Sequence, residues 1–224
     1  IWSTTPLGIV WSSETVHPTL AVLMRMIIAI VPGVVIMKLA KINLPWSVQA
    51  RKIYAYSCVG VFGGMLFSYF SARYLSSGLM SLILFVVCFD SISLNQDSVI
   101  GLGLILLGVF FFSLSGVMVK SVAIDIHPLA TTVGALTFSV PLFALVWFFA
   151  DGTLPYQQWH ARSIWAILYL GIFGSLVGFL AYFFILQKLR ASTVALITMM
   201  TPVFALYLGA ILNNEQVSLH LVFG

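Results

Sequence analysis

The stretch PLATTVGALTFSVPLFALVWFFA, from Pro128 to Ala150, decides the class of fold. Its 23 residues include no charged side chain. A helix rises about 1.5 Å per residue, so this stretch is long enough to cross the hydrocarbon core of a bilayer, which is about 30 Å thick. Proline is favoured at the first position of a helix, where Pro128 stands. Because backbone groups in lipid must be paired within the segment, we predict a transmembrane helix here.

The same pattern, about 20 mostly apolar residues, recurs along the chain. The further predicted spans are Pro18–Met37, Ile53–Arg73, Ile100–Val119, Ser163–Gln187 and Ser192–Leu212. Ile1–Trp11 has the pattern of the second half of a span, and His220–Gly224 that of the first turn of another. The sequence therefore predicts an all-α polytopic membrane protein whose two ends look cut.

The composition supports this class and excludes others. Hydrophobic residues make up 61% of the 224 residues and charged residues 7%, whereas soluble domains contain about 45–50% and about 25%. A disordered chain and an ordinary soluble enzyme are thereby excluded. Ten cations spread over the whole chain form no basic patch, so we expect a lipid bilayer and no nucleic acid as partner. Cys58 and Cys88 form neither a disulfide framework nor a zinc-ligand pattern, and we predict no metal and no cofactor.

The positions of the cations predict the orientation. The loop Lys38–Lys52 contains four of them and is therefore placed in the cytoplasm. Leu79–Phe89 is apolar but would measure only about 16 Å as a helix, half of the hydrocarbon thickness. If it crossed once by itself, Lys120, Lys188 and Arg190 would move outside, so the charge bias favours an even number of crossings at this point.

An internal repeat is visible in the sequence. A shift of 110 places His17-Pro18 on His127-Pro128, each of which opens a span. A shift of 114 places two glycine pairs on each other, Gly60 and Gly64 on Gly174 and Gly178. In the predicted topology the copies have opposite orientations. We therefore expect two inverted five-helix repeats, both incomplete, which in transporters enclose a site near the bilayer midplane.

The repeat predicts the division of the chain. The first repeat is expected at residues 1–99 and the second at residues 100–224, ending at the start of its last helix. In the second copy the sequence after Ile197 continues through a full span, whereas in the first copy Ile83 is followed almost at once by Asp90. We therefore predict a deletion or gap near 84–85.

Several motifs resemble one family. Ile1-Trp2-Ser3-Thr4-Thr5-Pro6, His17-Pro18 followed by Met24-Arg25-Met26, and Leu75-Ser76-Ser77-Gly78 are similar to the first three helices of the drug/metabolite transporter superfamily, EamA-like branch. Ala191-Ser192 through Thr201-Pro202 to Asn214-Glu215 resembles its ninth helix. The resemblance implies ten helices in two five-helix repeats with both termini in the cytoplasm. The chain departs from this pattern where most of the fourth and fifth helices would stand.

Arg25 is the only charge well inside a predicted span, about 10 Å along the helix from Pro18. Ionisable residues within the membrane are candidates for function, and an arginine suits an anion such as a substrate carboxylate. The alternative is that its side chain extends to the outer headgroups.

Further candidates are aromatic and hydroxyl side chains. Together with Arg25, the predicted substrate pathway contains Trp2, Ser3, Tyr69, Tyr182, Thr198 and Thr201. Aromatic residues in membrane helices also serve packing, and hydroxyls also bond to the backbone one turn back. Gly60, Gly64, Gly174 and Gly178 form small-xxx-small motifs and are assigned to helix packing.

These features predict a secondary transporter that exports or exchanges a small organic metabolite, such as an amino acid, by alternating access. The expected location is the inner (plasma) membrane of the cell, with several passes. An intramembrane enzyme is the first alternative, but no histidine and no carboxylate pair lies deep in a span, so we expect no enzyme. A seven-helix receptor is the second, although it leaves the repeat unexplained. The oligomeric state is not indicated.

Overall fold

A computed structural model describes residues 2–77, 80, 96–122, 124–154 and 158–189, with short pieces at 193–194, 204–205, 207–208 and 211–212. Within residues 2–189 of this part, a 3-10 turn at Trp2–Thr4 leads into six helices. They are α1 (Thr5–Ser12), α2 (Pro18–Leu39), α3 (Val48–Ser71), α4 (Gln96–Ser121), α5 (Pro128–Ala150) and α6 (Ala161–Lys188). The last five are long and apolar enough to cross a membrane. The prediction of an all-α polytopic membrane protein is confirmed.

Five predicted spans correspond to these helices, with ends that differ by up to five residues. α3 begins at Val48, not at Ile53, because the Ser47 hydroxyl caps the helix by accepting a hydrogen bond from the amide of Ala50 at 3.2 Å. Its first turns therefore carry Arg51 and Lys52 outside the apolar stretch. Leu79–Phe89 apart from Met80, the position 84–85, most of Ser192–Leu212 and His220–Gly224 lie outside the described residues.

Helices α2 and α5 form the centre of the bundle. α2 packs against α5 and α6, and α5 also packs against α3. α4 covers α3, and α1 lies against the first half of α6. The buried side chains of these helices form one continuous apolar cluster.

Close contacts give the relative directions of the helices. α3 and α4 are antiparallel, since Gly60 lies at Ser115 and Leu75 at Gly101. α4 and α6 run parallel, because the ring of Phe112 contacts that of Tyr182 and Lys120 reaches the carbonyl of Gln187. α3 therefore runs opposite to α6.

The other matched pair of helices is also opposed in direction. α2 and α6 are parallel, because Glu14 just before α2 pairs with Arg162 at the start of α6, and Gly33 lies near Leu176. Gly33, late in α2, also lies near Val133, early in α5. α2 and α5 are therefore antiparallel, as the inverted relation requires.

The internal repeat has a counterpart in backbone geometry. α3 contains a π-helical segment at Val59–Gly64, and α6 contains one at Leu170–Val177. The shift of 114 carries the first segment to 173–178, which overlaps the second. π-helical turns are rare and concentrate at functional sites. The sequence analysis did not predict these segments.

The charged residues separate between the two ends of the bundle. The end that holds the α2–α3 loop, here called the inner end, carries six of the described cations, namely Lys38, Lys41, Arg51, Lys52, Lys120 and Lys188. The opposite, outer end carries three of the four described carboxylates, Glu14, Asp97 and Asp151, with Arg73 and Arg162, whereas Asp125 lies at the inner end between α4 and α5. Lys120 and Lys188 thus lie at the same end as the α2–α3 loop, as an even number of crossings between α3 and α4 requires.

Candidate functional site

One face of α6 brings the candidate residues together. Gly174 and Ser175 lie three and four residues after Gly171 and four and three before Gly178, which places all four on one side of the helix. Three of these four positions are glycine, so neighbouring side chains approach the backbone closely. Arg25 from α2 and Trp2 from the N-terminal turn occupy this face.

Arg25 is buried beside the π-helical segment of α6. Its side chain is 0% exposed, and its Nε donates a hydrogen bond of 2.7 Å to the hydroxyl of Ser175. A Cβ added at Gly174 would stand 3.0 Å from Nη2 of Arg25, so a larger residue there would displace the guanidinium by a few tenths of an ångström. The side chain thus points into the bundle and does not extend to the headgroups.

The two terminal nitrogens of Arg25 are buried donors that could bind a ligand. Nη1 and Nη2 are both buried, and neither has a hydrogen-bond partner among the described residues. A guanidinium presents its donors in a planar fork that matches a carboxylate. Buried donors without partners cost free energy, and a bound anion would remove that cost.

An aromatic cluster lies next to Arg25, toward the inner end. The rings of Trp2, Phe112 and Tyr182 contact each other, with centroids 4.8–5.7 Å apart. A Cβ added at Gly178 would stand 2.8 Å from Nε1 of Trp2, and one at Gly116 would stand 2.8 Å from the hydroxyl of Tyr182. The missing side chains of these two glycines therefore leave room for Trp2 and Tyr182 to pack against the helix backbones.

The structure separates the predicted pathway residues into groups. Trp2 and Tyr182 are in ring contact, and Arg25 lies about one helical turn away along α6. Ser3 is partly buried in the turn beside Trp2. Tyr69 is fully buried, and within the described part of the chain it makes no ring contact with Trp2 or Tyr182. Thr198 and Thr201 lie outside the described residues.

The predicted packing glycines have two different neighbourhoods. A Cβ at Gly60 would stand 2.6 Å from Cβ of Ser115, and one at Gly64 would stand 3.4 Å from the carbonyl of Gly108, so this pair brings α3 against α4. Gly174 and Gly178 instead make room for the side chains of Arg25 and Trp2. The second pair thus lies against the candidate site.

Ser175 and Phe112 were not predicted as candidates. Ser175 stands as a polar residue in the apolar run Leu170–Leu180, beside a glycine that was predicted, and this is the signal that marks it in the sequence. Phe112 carries no comparable signal, since it is one of three consecutive phenylalanines in α4. Phe112 is distinguished only by its position on the face of α4 that packs against Trp2 and Tyr182.

Fold and site together define a polytopic α-helical membrane protein with a buried arginine between α2 and α6, whose two terminal nitrogens have no hydrogen-bond partner among the described residues. A sequence profile described as the EamA-like transporter family matches residues 99–224, more than half of the chain. The chain therefore belongs to the EamA-like transporter family, which confirms the resemblance to the drug/metabolite transporter superfamily.

Two curated relatives are uncharacterized transporters. One, from Archaeoglobus fulgidus, is 26% identical over 254 residues, which cover 100% of this chain and 90% of the relative. The other, YoaV from Bacillus subtilis, is 28% identical over 80 residues, which cover 36% of this chain and 27% of that protein. The alignment with the Archaeoglobus fulgidus protein is 30 residues longer than the 224-residue chain. No solved structure matches significantly.

Proposed function

We propose that the protein is a secondary transporter that exports or exchanges a small organic metabolite carrying a carboxylate, and that Arg25 binds this carboxylate. The observation that carries the proposal is the buried guanidinium beside Ser175, two of whose nitrogens have no hydrogen-bond partner in the described part of the chain. A structural arginine at this depth would be expected to satisfy its donors, because unpaired buried donors of a charged group are costly.

Alternating access is proposed from the opposed helix pairs. α2 with α5 and α3 with α6 are matched in sequence and opposed in direction, so the two copies can exchange conformations around a shared site. The division into repeats at 1–99 and 100–224 belongs to this proposal, and the family match beginning at residue 99 supports it. The cluster of Trp2, Phe112 and Tyr182 closes the inner side of Arg25 and would have to open for solute to pass inward.

The setting of the transporter is proposed from the charges. The cation-rich inner end is placed in the cytoplasm, in the inner (plasma) membrane of the cell. The partners are then the lipid bilayer and the solute. We propose no catalysis, since Arg25 recognises an anion and no nucleophile or base is required of it.

Counterflow in proteoliposomes tests the role of Arg25. The purified protein is reconstituted and screened with labelled amino acids and other small carboxylates, each compared with its carboxamide. We expect transport of a carboxylate and a loss of about ten- to hundredfold in apparent affinity in Arg25→Met, because a charge-assisted hydrogen bond contributes about 1.5–3 kcal/mol.

Arg51→Met is the matched control, because Arg51 is an exposed arginine at the inner end and should leave transport unchanged. Equal transport of the carboxylate by wild type and Arg25→Met would show that Arg25 does not bind it. Equal transport of carboxylate and carboxamide by the wild type would contradict the proposed substrate class.

A further inference from the structure

A groove at the outer end lies between α1 and α6. It has a volume of about 320 Å³, which is within the range of small-molecule sites. Its lining from α6 consists of Arg162, Trp165, Ala166 and Tyr169. Trp165 and Ala166 lie three and four residues after Arg162, and the fourth position lies four and three residues after these two, so all four share one face of the helix. The helix rises about 10 Å from Arg162 to Tyr169, so the groove follows α6 from the outer end into the bilayer.

The opposite wall of the groove is one face of α1. Leu7, Gly8 and Trp11 line it, and Trp11 lies four and three residues after the other two. At the deep end of the groove, the hydroxyls of Thr4 and Tyr169 bond to each other at 2.8 Å. Between this pair and the mouth, the lining side chains of both helices are apolar or aromatic. The interior of the groove therefore suits a hydrocarbon chain.

The groove opens toward the lipid. Trp165 is 70% exposed, and Leu212, which forms a third wall, is 50% exposed. Exposed apolar side chains of a span face the hydrocarbon, and tryptophan is enriched at the level of the headgroups. One leaflet contributes about 15 Å of hydrocarbon, so a groove about 10 Å deep fits within the outer leaflet. An acyl chain of this leaflet can therefore enter the groove from the side.

The mouth of the groove carries one charge of each sign. Nη1 of Arg162 lies 3.4 Å from Oε1 of Glu14, and the guanidinium carbon lies 4.3 Å from the ring centre of Trp11. The ion pair is longer than a charge-assisted hydrogen bond, which measures about 2.7–2.9 Å, and both side chains are partly exposed. Exposed ion pairs contribute little to stability, so the pair can rearrange around a ligand at small cost. The mouth thus complements a headgroup that itself carries both charges.

We infer that this groove binds a phospholipid of the outer leaflet whose headgroup carries a primary ammonium, that is, a phosphatidylethanolamine. The lipid phosphate accepts hydrogen bonds from the guanidinium of Arg162, and the lipid ammonium donates to the carboxylate of Glu14. One acyl chain lies between the faces of α1 and α6. The inference goes beyond the proposed transport of a solute at Arg25 and does not depend on it.

Native mass spectrometry of the detergent-purified full chain tests the groove with four probes. They are dioleoylphosphatidylethanolamine; dioleoylphosphatidylglycerol, which lacks the ammonium; dioleoylglycerol, which lacks the whole headgroup; and glycerophosphoethanolamine, which lacks the acyl chains. We expect one molecule of the phosphatidylethanolamine to bind per chain. Each of the other probes should bind at least about tenfold more weakly, because each loses a charged contact or the apolar contact.

Matched variants locate this binding at the groove. Arg162→Gln and Glu14→Gln should each weaken binding of the phosphatidylethanolamine about tenfold, and Trp165→Ala should weaken it by removing part of a wall. Arg73→Gln and Phe149→Ala should leave binding unchanged, because these are an exposed arginine and an exposed phenylalanine at the outer end that do not line the groove. All five side chains are exposed, and unchanged thermal unfolding without lipid excludes misfolding as the cause.

Three results would overturn the assignment. The first is equal or tighter binding of phosphatidylglycerol or dioleoylglycerol, which would leave the charges at the mouth without a role. The second is equal binding of glycerophosphoethanolamine, which would show that no acyl chain enters the groove. The third is binding of the phosphatidylethanolamine to Arg162→Gln and Glu14→Gln as to the wild type, since the retained lipid would then lie elsewhere on the apolar surface.

Discussion

Replacement of Gly134 by alanine should destabilise the contact between α3 and α5. An added Cβ would stand about 2.6 Å from Cγ and Cε1 of Tyr54 and closer still to Cδ1. Ordinary contact begins near 3.4 Å, so the ring would have to move by about 1 Å. Tyr54 is 0% exposed, and its hydroxyl donates a hydrogen bond of 3.0 Å to the carbonyl of Pro45. The ring therefore has no free direction in which to move.

The magnitude follows from two opposed contributions. Overpacking a filled core costs about 1–3 kcal/mol, and we expect the upper half of this range because the ring is tethered. Alanine in place of glycine within a helix stabilises the folded state by at most about 1 kcal/mol, because alanine has the higher helix propensity. The net loss is then about 1–2 kcal/mol, which lowers Tm by about 2–8 °C in a chain of this length.

Gly103→Ala is the matched control for this prediction. Gly103 lies within α4 and has nothing within 4 Å of an added Cβ, so only the helix contribution remains and Tm should rise slightly. Both variants are compared with the wild type by thermal unfolding in one detergent. Tyr54→Leu, added to Gly134→Ala, should restore part of the loss, with a coupling of about 1 kcal/mol. A Tm of Gly134→Ala equal to or above that of wild type would refute the packing argument.

Two further predictions concern the aromatic cluster and the outer end. Gly178→Ala places a Cβ 2.8 Å from Nε1 of Trp2 and should raise KM for transport about tenfold, whereas Gly103→Ala should leave KM unchanged. If Gly178→Ala and wild type have equal KM values, Trp2 does not line the pathway. Burial, and secondarily Arg73, lowers the pKa of His17, with Asp151 acting in the opposite direction. The folded state thus prefers neutral His17, whose Nε2 lies 2.7 Å from Nη2 of Arg73. The contribution of His17 to the stability of the folded state is therefore complete above pH 6.5 and is lost as the pH falls below that value. Tm should therefore drop more between pH 7.5 and pH 5 in wild type than in His17→Gln, and parallel pH curves would contradict this.

The sequence alone determined the class of protein and most helices. Uninterrupted apolar length and the two His-Pro pairs that open α2 and α5 are local properties of the sequence. They can therefore be recognised without knowing which helices pack against each other. The shift that matches α3 with α6 is also visible without coordinates.

Only the tertiary structure decided which side chains meet. Arg25 and Ser175 are 150 residues apart, and their hydrogen bond depends on the way α2 packs against α6. An apolar span is hydrophobic on all sides, so its sequence does not indicate which face meets a neighbour and which meets lipid. Phe112 therefore remained indistinguishable from the phenylalanines beside it until α4 was packed against α6. The π-helical turns at Val59–Gly64 in α3 and Leu170–Val177 in α6 are likewise visible only in the folded chain.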